Sequence, residues 1–183
     1  ISRIWHGARP LGNARLNRMT QGTLMTSGST LFTIAPIDAA QTRPLRAMVL
    51  LNGDLDASAL AGDLAPTTLH VGVRDASGIV AVASLCEEVR EDDPARPAWR
   101  LRGMAVHPAV RGMGLGRVLV QVCVRHAEAR GAALVWCTAR ETAYRFYEKL
   151  GFTADDATIT MPGRTDTAFH VMRRYIDRQS PPG

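Results

Sequence analysis

The sequence lacks most of the marks that would assign it to a specialised class. Its three cysteines, Cys86, Cys123 and Cys137, are odd in number and lie inside apolar runs, which fits buried reduced thiols and speaks against a disulfide framework. No Cys-x-x-Cys pair or His/Cys cluster has metal-ligand spacing, so no metal site is expected. No apolar run is long enough for a signal sequence or a membrane helix. A P-loop string, Gly-x-x-x-x-Gly-Lys-Ser/Thr, is missing, and so is the dinucleotide fingerprint Gly-x-Gly-x-x-Gly. No internal repeat or low-complexity segment occurs. The expected compartment is the cytoplasm, with no membrane partner.

What is present points to one domain. The chain has 183 residues, 46% of them hydrophobic and 21% charged, enough for one well-packed core. A net charge of +5 hints at nucleic acid until it is located. Arg3, Arg9, Arg15 and Arg18 sit in residues 1–24 with no acid, and without them the charge is +1. The basic signal thus belongs to the N-terminal segment, and no nucleic-acid partner is expected. Arg-rich, acid-free segments also read as transit peptides or basic arms. Met25 opens Met-Thr-Ser-Gly-Ser just ahead of the first strand, so residues 1–24 read as a leader or an upstream extension, with an ordered arm as the alternative. The division expected is 1–29 as a flexible extension, 30–176 as the domain and 177–183 as a frayed tail.

Hydrophobic periodicity gives the order of elements. Thr30 to Ala35 alternates as a strand; Asp38 is a candidate N-cap for a helix to about Leu51, ended by Asn52-Gly53. On that helix Leu45, Met48 and Val49 share an apolar face, with Arg43 and Arg46 off it. Residues 53–67 read as a loop with one short helix at most. Leu69 to Arg74 and Ile79 to Cys86 form a hairpin across Asp75-Ala76-Ser77-Gly78. Trp99 to Val106 is a strand, Gly114 to about Arg130 an amphipathic helix capped by Gly131, and Ala133 to Thr138 a strand with the continuous apolar run of one buried on both faces. Strand, helix and strand make a right-handed parallel crossover. Glu141 to Leu150 is a short helix. Phe152 to Met161 and Asp166 to Tyr175 pair across Pro162-Gly163-Arg164. The class is α+β.

The stretch with chemical content is Gly103 to Arg117. It ends a strand, turns at His107-Pro108, passes Gly112, Gly114 and Gly116, and enters a helix. Alternating glycines let backbone approach a ligand, and the first-turn N–H groups of a helix lack intrahelical partners. Together with the helix dipole and the flanking Arg111 and Arg117 they form an anion site of phosphate type. A tight turn with two solvated arginines is the plain structural alternative.

Arg111-x-x-Gly114-x-Gly116 after Met-Ala-Val resembles the acetyl-CoA-binding motif of the GNAT superfamily of N-acetyltransferases. Farther on, Ala143-x-x-Phe146-Tyr147-x-x-x-Gly151-Phe152 resembles that superfamily's helix over the pantetheine arm. The two motifs occur in the expected order, and the likeness covers roughly Thr30 to Ile176. It implies a mixed, mostly antiparallel sheet of six to seven strands with helices on both faces and a central parallel β-α-β crossover. It also implies acetyl-CoA as cofactor, with CoA as product. The cofactor contacts would be Met104, Ala105, Val106, Arg111, Gly112, Met113, Gly114, Leu115, Gly116, Arg117, Thr138 and Tyr147. The acceptor would be a primary amine of a small molecule, amino-acid derivative or peptide, and the protein a monomer or homodimer. A non-catalytic acyl-CoA-binding or regulatory domain is the alternative.

For direct transfer the resemblance implies Val106 N–H as oxyanion donor and Tyr147 as general acid, with Tyr144 as fallback. Relatives often carry a base glutamate on the strand where this chain has Arg100, Arg102 and Met104. Glu87 or Glu88 is then the candidate base, only one of them facing inward by alternation, with His107, His170 or a water chain as the other options. Relatives place an asparagine near Thr138, and the threonine is a partial substitute.

Overall fold

The computed structural model describes residues 22–25, 30–161 and 164–176. In chain order the strands are β1 (Gly22–Met25), β2 (Leu31–Pro36), β3 (Leu69–Asp75), β4 (Gly78–Glu87), β5 (Ala98–Val106), β6 (Leu134–Arg140), β7 (Thr153–Met161) and β8 (Arg164–Tyr175). The helices are α1 (Ala39–Leu50), α2 (Leu115–Ala129) and α3 (Tyr144–Glu148). All strands join one sheet in the order β1-β2-β3-β4-β5-β6-β8-β7, antiparallel throughout except for the β5–β6 pair. The architecture is the expected α+β sheet with its single parallel crossover.

The strand count is a correction, eight rather than six to seven. The additional strand, β1, falls inside the segment read as an extension and pairs with β2 from Gly22↔Ile34 to Met25↔Leu31. Four residues, one of them glycine, are too few for alternation to register in the sequence. The turn at Pro162-Gly163, the tail from residue 177 and the N-terminal arginines lie outside the described residues.

Helix α1 covers one face of the sheet, where Leu45 packs with Val82 and Ala105. It opens with Gln41 Oε1 accepting the Asp38 N–H at 3.0 Å and closes where Asn52 and Gly53 take positive φ of 52° and 90°. Its buried side chains are Thr42, Leu45, Arg46 and Ala47, while Met48 is 47% exposed. Period alone put Arg46 in solvent and Met48 in the core; the reverse holds because Arg46 finds buried acceptors on other elements. Helix α2 covers the opposite face with Leu115, Leu119, Val120, Cys123, Val124 and Ala127.

The two faces meet at an irregularity in β5. Val82 pairs with Ala105 and Ser84 with Arg102, so Gly103 and Met104 together oppose Ala83 in a β-bulge. Gly103 takes φ +58° there. Strict alternation would put Arg100, Arg102 and Met104 on one face; the extra residue instead turns Met104 to the α2 side, where it meets the core under Tyr147.

Candidate functional site

Strands β5 and β6 pair only from Ala98↔Leu134 to Leu101↔Cys137 and then part. Beyond that point β5 runs on to Val106 and β6 to Arg140 with no ladder between them. His107 N–H donates to Val80 on the β4 side at 2.8 Å, so alternation turns Val106 backbone away from β4 and toward the gap. The gap leads into a cleft of about 530 Å³ on the α1 face, lined by Leu50, Leu60 and Ala61 on one wall and by Met104, Ala139 and Tyr147 at the split. Backbone polar groups inside a protein are nearly always paired, so an unpaired strand edge lining a cleft is a place for an extended ligand.

The glycine loop lies at the other mouth of the gap, at the start of α2. Gly114 is the N-cap residue, left-handed at φ 80°, and Gly112 takes φ 81°. A Cβ at either would meet nothing within 4 Å, so the loop is open on its outer side. At Gly116 a Cβ would come to 3.3 Å of Phe146 and 3.6 Å of Val106; a bare Cα there lets the helix start sit against β5 and α3. Arg111 Nε donates to the Val106 carbonyl at 3.3 Å, and both Arg111 and Arg117 are exposed beside the loop. Met113 is also exposed, whereas Leu115 is buried in the core. The loop thus offers the first-turn amides of a 15-residue helix, two guanidinium groups and room.

Tyr147 is 6% exposed, with its ring against Phe146 and Phe152. Burial pushes its pKa well above the ordinary phenol value of 10, so the proton stays on. Among the described residues its Oη donates only to Met104 Sδ, at 3.9 Å, a weak acceptor that leaves the proton free for a better one. Tyr144 stands edge-on to the His170 ring at 5.0 Å, and His170 Nε2 is bound to Glu141. His107 Nδ1 accepts from Ala109 N–H at 3.2 Å and so holds the turn after β5.

The two acidic candidates separate. Glu87 is exposed beside Trp99 at the outer end of β4. Glu88 is half-buried and held by Arg100 at 2.7 Å, with Arg102 at 3.8 Å. Arg100 also donates to Thr138 Oγ1 at 3.3 Å and lies over the Trp136 ring at 4.5 Å. Thr138 therefore faces the α1-side cleft with its hydroxyl engaged, and Ala105 backbone turns to β4. Among the described residues no acid lines the cleft.

A second group went unread in the sequence. Arg46, 1% exposed, donates to both Asp63 carboxylate oxygens at 2.6 and 3.3 Å, to Ser58 O at 3.2 Å and to Ser84 Oγ at 2.5 Å. Ser84 Oγ is 2.6 Å from His70 Nδ1, and His70 Nε2 is 2.8 Å from Asp63 O. Burial, the largest single effect, would raise the Asp63 pKa, but the Arg46 bonds and charge, the Leu60 N–H and the nearby His70 together outweigh it and hold the carboxyl below its ordinary value. This network ties the 53–68 loop to α1 and β4 and so fixes one cleft wall. Charged side chains scattered over three elements give no periodic signal, so only the tertiary structure shows them.

Residues 66–154 match the family model described as the acetyltransferase (GNAT) domain. The N-acetyltransferase YitI of Bacillus subtilis is 29% identical over 101 residues, 55% of this chain and 68% of that protein. The glucosamine 6-phosphate N-acetyltransferase of Trypanosoma brucei brucei is 32% identical over 78 residues, 43% of this chain and about half (53%) of that protein. In three dimensions an aminoglycoside 6'-N-acetyltransferase complexed with coenzyme A superposes with a TM-score of 0.65 at 17% identity, covering 80% of this chain and 99% of that one. The fold, the motif order and these matches agree: residues 66–154 are a GNAT acetyltransferase domain, which supports an acyl-CoA-dependent N-acyltransferase. No helix among the described residues is long and apolar enough to cross a membrane.

Proposed function

We propose that the chain is an N-acetyltransferase moving the acetyl group of acetyl-CoA to a primary amine of a small molecule, an amino-acid derivative or a peptide. The observation that carries this is the open β5 edge joining a glycine loop on one face of the sheet to a cleft on the other. Bound acetyl-CoA supplies an acyl thioester, which an amine can attack. Arg111, Gly112, Met113, Gly114, Leu115, Gly116 and Arg117 hold its pyrophosphate through backbone amides and guanidinium groups. Met104 and Val106 would hold its arm along the unpaired strand, and Val106 N–H would donate to the thioester carbonyl oxygen as an oxyanion donor.

Tyr147 Oη gives its proton to the departing thiolate. Its raised pKa keeps that proton in place until a thiolate, a far better acceptor than the Met104 thioether, arrives beside it. Glu88 is held by Arg100 and no carboxylate among the described residues lines the cleft, so the amine proton leaves through water rather than to a resident base. Thr138, bound to Arg100, serves the acceptor side of the split. Three free, buried thiols suit a reducing compartment, and the cytoplasm is the proposed location.

Amine-dependent release of CoA thiol tests this. Tyr147→Phe should lower kcat by about 100-fold and leave acetyl-CoA affinity nearly unchanged. An unchanged kcat would reduce Tyr147 to a packing residue. If acetyl-CoA binds but no amine in a broad panel reacts, the non-catalytic acyl-CoA-binding domain becomes the better account.

A further inference from the structure

The cleft on the α1 face has an unusual charge pattern. Four arginines, Arg46, Arg100, Arg102 and Arg140, stand among the sixteen described residues that line it, and no aspartate or glutamate is among these. Among the described residues two carboxylates lie behind the wall. Asp63 is taken by Arg46, and Glu88 stands alone against Arg100 and Arg102. That pair of arginines therefore carries one positive charge more than its carboxylate neutralises. Neither side chain is free to swing into bulk water, since Arg100 is 25% and Arg102 14% exposed.

The donors are also incompletely used. Arg46, Arg100 and Arg102 each keep a buried Nε with no hydrogen-bond partner among the described residues. Arg102 Nη2 donates to the Ala61 carbonyl, a neutral acceptor. Sequestering cations without matching anions is costly, and an arginine fork is shaped for a carboxylate or a phosphate. The cofactor's phosphates do not answer this demand in the proposed arrangement, because the glycine loop lies at the start of α2 on the opposite face.

We infer that the acceptor is an anion-bearing amine, and that Arg102, with Arg100 beside it, binds its carboxylate or phosphate while the amine reaches the β5–β6 split. This rests on the acetyltransferase reading of the same site. It makes Arg102 a specificity residue: the bulge at Gly103 keeps it on the cleft face and turns Met104 to the other side.

The test uses the full chain, saturating acetyl-CoA and matched acceptors: β-alanine against β-alaninamide for a carboxylate, and phosphoethanolamine against ethanolamine for a phosphate. The anionic member of at least one pair should have a kcat/KM at least about 10-fold above its neutral mate. The pair that shows the preference tells the carboxylate from the phosphate. In Arg102→Gln the ratio should collapse toward one, and in Arg102→Lys it should partly recover, a rescue that loss of folding would not give. Equal or better use of the neutral mates, or a ratio unmoved by Arg102→Gln, overturns the inference while the acetyltransferase reading stands. If none of these amines reacts, Trp136 fluorescence, under Arg100, is followed as acetate or inorganic phosphate is added to the acetyl-CoA-loaded protein. Saturable anion binding lost in Arg102→Gln supports the inference, and no binding overturns it. Failure to load acetyl-CoA at all would instead sink the acetyltransferase reading itself.

Discussion

Gly103 carries two constraints at once. Its φ of +58° is one that residues with a Cβ adopt at a cost of roughly 1–2 kcal/mol, and a Cβ there would lie 2.4 Å from Arg46 Nε. Arg46 has little room to retreat, being bonded to Asp63, Ser84 and Ser58. Gly103→Ala should therefore destabilise the fold by about 3 kcal/mol, whereas Gly112→Ala, with nothing within 4 Å, should cost only about 1 kcal/mol. Urea unfolding of the two variants checks the difference; equal costs would mean that Arg46 yields easily. Residue identities that act locally were legible in the sequence. Gly114, Gly116 and Tyr147 sit in short strings whose spacing is itself the signal. Arg46 was not legible, because its partners Asp63 and Ser84 lie 17 and 38 residues away and period counting sends an arginine to solvent.

Among the elements, α2 links the core to the glycine loop, and one of its side chains gives it a pH dependence. His126 stands edge-on to Trp99 at 5.5 Å, and its Nε2 is buried without a partner among the described residues. Burial, helped by the charge of Arg130, lowers its pKa from 6.5 to about 4. In the unfolded chain the same imidazole takes up a proton near 6.5, so acid favours unfolding. The stability it protects is full above pH 6.5, declines as the pH falls from there, and is gone below about 4. The side chain is only partly buried, so the loss is on the order of 1–2 kcal/mol. His126→Gln should flatten the stability curve in that window; an unchanged curve would show that the ring is already solvated. Element boundaries in the core were legible because α2 and β6 carry strong apolar patterns. Two features escaped: β1, four residues long, and the bulge in β5, which depends on how β4 pairs rather than on any string in β5.

For the whole molecule, the sheet works as a partition with one opening. The glycine loop and α2 occupy one side, α1 and the arginine-lined cleft the other, and the β5–β6 split connects them. The first side was readable because its alternating glycines, the proposed phosphate contacts, lie in one short string. The second side was not, since the cleft wall is assembled from α1, the loop after it, β5 and β6. The most direct measurement is calorimetric titration of acetyl-CoA into the full chain and into a Gly114→Glu variant. In that variant a carboxylate stands at the helix start and a Cβ is forced into a left-handed position. Saturable binding by the parent and its loss in the variant are the predicted results. No binding by the parent, or equal binding by both proteins, would contradict the assignment of the loop as the acetyl-CoA site.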